Sequence, residues 1–299
     1  MTGKVPVGRA ITDGYAFAFR NFFSLLGTFW LPYLVFVLVS LGLVWLIAPD
    51  LPRMLATQDF DLRDPMRLVR LALLVGVLGF IAGCMVAVGV QRKAQGFHPR
   101  PVWFWFSLGA PVWRMAAAFF LAGIVIFLIA LVTAGVCTAI WFGAGRLGGA
   151  AWIVRVPDVC AGAAFLIYVM VRLLFFLPAV VVAENKIVLE RAWILGGHNF
   201  WRILIVSIAV VVPAAIAFHV LAWAIFGPAA SLRMGPNVGA REIMRAVLFN
   251  VRAASPFALL YEFLERIVLV GVTNGAMASA YFAVSGRGPE PTPAAAPVA

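Results

Sequence analysis

Four ionisable side chains sit in otherwise apolar sequence: Arg172 and, much further along, Glu262, Glu265 and Arg266. A charge at bilayer depth costs roughly 2.5–3.5 kcal/mol on insertion scales, so such residues face a bundle interior, pair with one another or reach out to the headgroups. Arg172 falls near the middle of the apolar run 159–183, about three helical turns from either end and too deep for its side chain to snorkel. It needs a partner, and Glu262 and Glu265 are the carboxylates at comparable depth. With the fourth and sixth apolar runs parallel, Glu265 lies within about one or two turns of the level of Arg172. Glu262 and Arg266 are spaced i, i+4 and can neutralise each other along one helix. Such a buried ionic cluster can hold a proton or an anion in a transporter, or it can clamp two helices together. The lack of any other buried counter-charge favours the clamp, with Arg172 paired to Glu265.

A second group lies just beyond the run that holds Arg172. Glu184, Asn185, Arg191, Trp193, Asn199 and Trp201 combine a polar helix end with an amphipathic stretch, the composition of a surface that meets headgroups or a protein partner. Asn274, beside Thr273 in the last apolar run, either lines a cavity or hydrogen-bonds to a neighbouring helix. His98, His198 and His219 are isolated from one another, so no metal site is expected. The chain carries no G-x-S-x-G nucleophile elbow, no P-loop and no dinucleotide-binding glycine fingerprint. No catalytic residue and no cofactor is therefore expected.

The elements that position these residues can be read from composition. Of 299 residues, 64% are hydrophobic and 12% charged, about half the charge of a soluble domain. A bilayer core takes about 20 residues of helix, and charges bracket such runs at 22–48, 71–91, 115–145, 159–183, 203–230 and 256–282. None shows the period-two alternation of a membrane strand. The fold class is all-α, a polytopic transmembrane bundle of about six helices in a single domain over 1–285. The Pro- and Ala-rich tail 286–299 has nothing to bury and is expected to be disordered. The first run is too long for a signal peptide and no cleavage site closes it, so it stays as a helix.

The formal charge of +11 is scattered singly between the runs, which points to anionic lipid headgroups and away from nucleic acid. Cys84, Cys137 and Cys160 show neither C-x-x-C spacing nor an even count, and read as small buried hydrophobes. The expected location is the bacterial inner membrane. Lys and Arg divide almost evenly between the two sets of loops. Lys4, Lys93 and Lys186 nevertheless share a side, and the first outer loop holds Asp50, Asp59, Asp61 and Asp64. That places both termini in the cytoplasm.

Three stretches precede the first, third and fifth runs and have the character of interfacial segments. In the first, Ile11, Tyr15 and Phe19 share one face and Arg9, Asp13 and Arg20 another. The second, 101–113, is an aromatic belt of Trp103, Phe104, Trp105 and Phe106. The third has an apolar stripe of Leu189, Ala192, Trp193 and Phe200. Arg20-Asn21-Phe22-Phe23, Pro111-Val112-Trp113-Arg114 and Asn199-Phe200-Trp201-Arg202 recur at near-equal intervals. The six helices therefore read as three hairpins, each introduced by an interfacial segment. Gly79 with Gly83 and Gly271 with Gly275 permit close helix approach within the chain, and Pro32, Pro178 and Pro213 should kink their helices.

The stretch from Val171-Arg172-Leu173 through Pro178 to Val181-Val182-Ala183-Glu184-Asn185, then Arg191-Ala192-Trp193 and Asn199-Phe200-Trp201, resembles a group of bacterial six-helix membrane domains. Some of that group are fused to a glycerophosphodiester phosphodiesterase domain. The resemblance implies a six-helix membrane fold over nearly the whole chain, with its specific residues confined to the fourth run and the segment directly after it. The residues here include no soluble domain, so the hydrolase activity does not carry over. The expected function is that of a non-enzymatic membrane protein that binds lipid, a membrane protein partner or a second copy of itself, as a scaffold or in envelope homeostasis. The alternative is a small-solute or ion transporter using Arg172 and Glu265, and a lipid-processing enzyme comes third.

Overall fold

The computed structural model describes residues 3–47, 65–97, 103–145, 148, 152–226 and 256–286. The four aspartates of the first outer loop, His98 and the tail beyond 286 lie outside the described residues. The regular elements are helices, with no strand among the described residues: α1 (Val7–Arg20), α2 (Phe22–Ile47), α3 (Pro65–Ala94), α4 (Ala110–Ala144), α5 (Trp152–Leu174), α6 (Leu177–Glu184), α7 (Leu189–Gly197), α8 (Phe200–Phe226) and α9 (Pro256–Ser285). By length and composition, six stretches can cross a bilayer: Phe22–Ile47, Val69–Ala94, Ala110–Ala144, Trp152–Glu184, Phe200–Ile225 and Leu260–Ser285. The chain is an all-α polytopic bundle and reads as a multi-pass membrane protein.

The fourth span is broken where its sequence demands it. Pro178 is the second residue of α6. Its ring would collide with the Leu174 carbonyl four residues back, and its nitrogen has no hydrogen to donate. The helix stops at Leu174, passes through the buried pair Phe175 and Phe176, and restarts as α6. Asn185, at φ 53°, then closes α6 in the left-handed conformation that asparagine tolerates better than most residues. Pro32 and Pro213 lie inside α2 and α8, which continue past them.

The spans pair as α2 with α3, α4 with α5 and α8 with α9, the three expected hairpins. Each segment that introduces a hairpin docks on the hairpin before it, and the first docks on the last. The stretch 103–105 lies on α2 and α3: Trp30 donates its indole N–H to the Trp103 carbonyl at 2.9 Å, and Trp105 donates to the Met85 carbonyl at 3.3 Å. α7 lies on α5. α1 lies on α8 and α9, with the Tyr15 hydroxyl 3.1 Å from the Val210 carbonyl. The arrangement closes into a ring. α6 breaks it by turning inward, where it touches α3, α4 and α9. Its residues 177–181 are all buried, so it fills the centre where the three hairpins meet.

Two expectations are corrected. The buried face of α1 is Ala10, Gly14 and Ala18, whereas Phe19 is exposed and Ile11 and Tyr15 are half-buried. Small residues win because α1 lies directly along α9. Gly14 approaches the backbone of Val272, Gly275 approaches Phe17, and Gly271 approaches Ala18 and Leu25. Van der Waals contact between small residues, not bulk hydrophobicity, drives such packing. The cysteines also divide: Cys84 is buried, Cys137 half-buried and Cys160 exposed. In a membrane-spanning helix an apolar neighbourhood does not distinguish the bundle interior from the lipid-facing surface.

Candidate functional site

Arg172 finds its partners on α7 and not on α9. Its Nε donates to the Trp193 carbonyl at 3.1 Å and its Nη1 to the Tyr168 hydroxyl at 2.5 Å. The guanidinium carbon stands 4.0 Å from the centre of the Trp193 ring and 5.6 Å from that of Tyr168. The expected pairing with Glu265 is thereby overturned: no ion pair joins the two, and Glu265 is half-buried on α9. The cause is the break at Phe175–Phe176, which leaves Arg172 within a turn of the end of α5, where α7 folds back over it. Gly196 and Gly197 make room, since a Cβ at either would fall 2.6 Å from an Arg172 atom. Glu262 and Arg266 do pair i, i+4 at 2.5 Å, as expected, but with side chains 50% and 61% exposed. The expected buried cluster is thus two separate features.

The expected partner surface also divides. Glu184, Asn185 and Arg191 gather at the end of α6. Arg191 Nε lies 3.5 Å from Glu184 Oε1, Tyr281 donates its hydroxyl to the same oxygen at 3.4 Å, and Arg114 donates to Asn185 Oδ1. Trp193 is committed to Arg172. Asn199 is buried: it accepts from Val5 N–H at 3.0 Å and donates to the Gly3 carbonyl at 3.2 Å, fastening the N-terminal strap at the start of α8. Asn199 is therefore not surface, because its amide satisfies backbone groups that would otherwise be stranded. Trp201 is 72% exposed and alone of the six presents a large free face.

Between α2, α3 and α9 the bundle holds a half-open cavity of about 610 Å³. Phe29, Tyr33 and Phe36 of α2 form one wall, Gly79, Gly83 and Ala87 of α3 a second, and Phe263, Asn274 and Met277 of α9 a third. Phe119 of α4 and Pro178 of the central α6 close the inner end. Exposed Gly83 and Arg266 stand at the mouth. Gly79, Gly83 and Ala87 share a face at i, i+4 spacing, and that face is open at Gly83. A Cβ at Gly83 would meet nothing within 4 Å. Gly83 therefore leaves space, whereas a Cβ at Gly79 would meet the Phe36 ring of α2 at 3.3 Å, and Gly271 and Gly275 bring α9 against α1 and α2. Asn274 lines the cavity, the first of the two roles its sequence position allows.

Sequence reasoning missed Tyr168, Arg114 and Tyr281 as partners, and missed Gln91 and Gln95 altogether. Tyr168 stands one turn before Arg172 and could have been read from i, i+4 spacing. Gln91 and Gln95 lie one turn apart at the end of α3 and are fully buried. Gln95 donates to the Ala179 carbonyl at 2.9 Å, while neither polar atom of the Gln91 side chain has a partner among the described residues. No metal-holding group of side chains occurs among the described residues. In comparison with known proteins, the chain matches no family model, no curated protein and no solved structure.

Proposed function

We propose that the protein is a non-enzymatic, lipid-binding protein of the bacterial inner membrane, with both termini in the cytoplasm. It would take an apolar lipid chain from the bilayer into the cavity between α2, α3 and α9 and act as a scaffold or in envelope homeostasis. The observation that carries this reading is the cavity itself, about 610 Å³ of half-open space walled by aromatic and aliphatic side chains. That volume lies within the roughly 300–1,000 Å³ of small-molecule sites. Its walls belong to helices apolar and long enough to span a bilayer, so the molecules that reach its mouth are lipids. The scattered positive charge suits anionic headgroups around the bundle. Arg172, held by two aromatic rings and a carbonyl, acts as a clamp, which leaves the transporter reading without its paired charges.

The test is native mass spectrometry of the protein released from lauryldimethylamine oxide micelles, comparing wild type with Gly83→Phe and, separately, Ala87→Phe. Wild type should retain lipid, and both filled variants should lose it while keeping their melting temperature. Equal retention in all three proteins, or none in any of them, would remove the cavity from the account.

A further inference from the structure

Asn274, one of the residues that line the cavity, carries an unmet hydrogen-bonding group just behind the cavity surface. Asn274 is only 7% exposed, and its amide nitrogen donates to the Val270 carbonyl one turn back at 2.9 Å. That bond fixes which way the amide faces: the nitrogen must meet the carbonyl, so Oδ1 is the free end. Oδ1 is buried and has no partner in the protein among the described residues. A buried amide oxygen can only accept. It has given up its hydration, and the loss is recovered only when a donor reaches it.

The charges at the mouth point the same way. Arg266 lines the cavity, but Glu262 holds it at 2.5 Å, so the pair presents little net charge to an entering molecule. An anionic lipid would meet a guanidinium already neutralised, a nearby carboxylate, and an amide oxygen that repels it. Tyr33 adds a hydroxyl that can serve as donor or acceptor. The remaining side chains of the three walls are apolar.

We infer that the cavity selects an uncharged lipid bearing a free hydroxyl, of the acylglycerol or long-chain alcohol class. Its hydroxyl displaces the atoms that cover Asn274 Oδ1 and donates to that oxygen, and its chain lies against Phe29, Phe36 and Phe119. This rests on the lipid-binding reading and names the class of lipid. A fatty acid carboxylate lacks the proton to donate, and a fatty acid methyl ester lacks the donor altogether, so both bind more weakly.

The experiment uses three probes with the same acyl chain: monoolein, which carries hydroxyls; methyl oleate, which has no donor; and oleate, which is anionic. Each is titrated into the full-length protein in lauryldimethylamine oxide, a detergent without a hydroxyl, and occupancy is read by native mass spectrometry. Monoolein should bind about tenfold more tightly than methyl oleate, the ratio one hydrogen bond to a buried acceptor supplies, and more tightly than oleate. Asn274→Leu should bring monoolein and methyl oleate level, while Gly83→Phe should weaken every probe. Equal affinities for monoolein and methyl oleate in wild type, or a preference for oleate, would overturn the donor selection and leave lipid binding standing. Failure of all three probes to bind wild type would overturn both. The wild-type comparison decides the matter even if Asn274→Leu does not fold.

Discussion

The guanidinium of Arg172 lies 4.0 Å from the centre of the Trp193 ring while its Nε donates to the carbonyl of that same residue. One side chain thus holds both the backbone and the ring of α7 against α5. Removing it takes away a charged hydrogen bond and a partly desolvated cation–π contact, each worth about 1–2 kcal/mol. Arg172→Ala should therefore destabilise the bundle by about 2–3 kcal/mol in thermal unfolding in detergent. Arg172→Lys should recover only part of that, because an ammonium cannot stack as a planar guanidinium does. A charge swap, Arg172→Glu with Glu265→Arg, should give no rescue; recovery of stability would restore the pairing that the structure overturns.

Gly196 gives a sharper test of the same contact. A Cβ there would lie 2.6 Å from the backbone oxygen of Arg172, which cannot swing aside as the end of a side chain can. Gly196→Ala should separate α7 from α5 and lower the melting temperature, although alanine is the better helix former by about 1 kcal/mol. An unchanged or higher melting temperature would show that α7 does not pack as described.

The glycines of α1 and α3 should respond in opposite directions. A Cβ at Gly14 would meet the Val272 carbonyl oxygen at 2.8 Å, whereas one at Gly83 meets nothing within 4 Å. Gly14→Ala should destabilise by forcing α1 away from α9. Gly83→Ala should be neutral or stabilise by up to about 1 kcal/mol, through helix propensity and the reduced freedom of the unfolded chain. Thermal unfolding of the two variants side by side checks the pair, and a loss at Gly83 matching that at Gly14 would argue against an open cavity face.

Gln91 offers a case where removing polarity should help. Its side chain is wholly buried and neither amide atom has a partner among the described residues, so the desolvation cost is not offset by protein contacts. Gln91→Met, close in shape, should raise stability by about 1 kcal/mol. Gln95→Met should lower it, since Gln95 donates to the Ala179 carbonyl of the central helix. Loss of stability in Gln91→Met would mean that its amide is satisfied after all.

The architecture was legible because the signals for it are local. Long apolar runs mark six spans, and Pro178 announces the break that turns α6 inward. The partner of Arg172 was not legible. Counting charges offers only carboxylates, whereas the residues that hold Arg172 are an aromatic pair and a backbone carbonyl brought up by a fold-back that no periodicity encodes. The face of α1 was misjudged for a related reason: Ile11, Tyr15 and Phe19 are the most apolar line, but contact with α9 goes to Ala10, Gly14 and Ala18, whose value is their lack of bulk. Asn274 could be placed beside a cavity as one option, while the cavity itself depends on how α3, open at Gly83, is set between α2 and α9.

The most direct test of lipid occupancy is a cryo-electron microscopy map of the protein in nanodiscs of native lipid, at a resolution that shows side chains. Lipid binding predicts an elongated density between α2, α3 and α9 that enters past Gly83 and ends within hydrogen-bonding distance of Asn274 Oδ1. A cavity closed by movement of α9 onto α3, or one without continuous chain-like density, would contradict it.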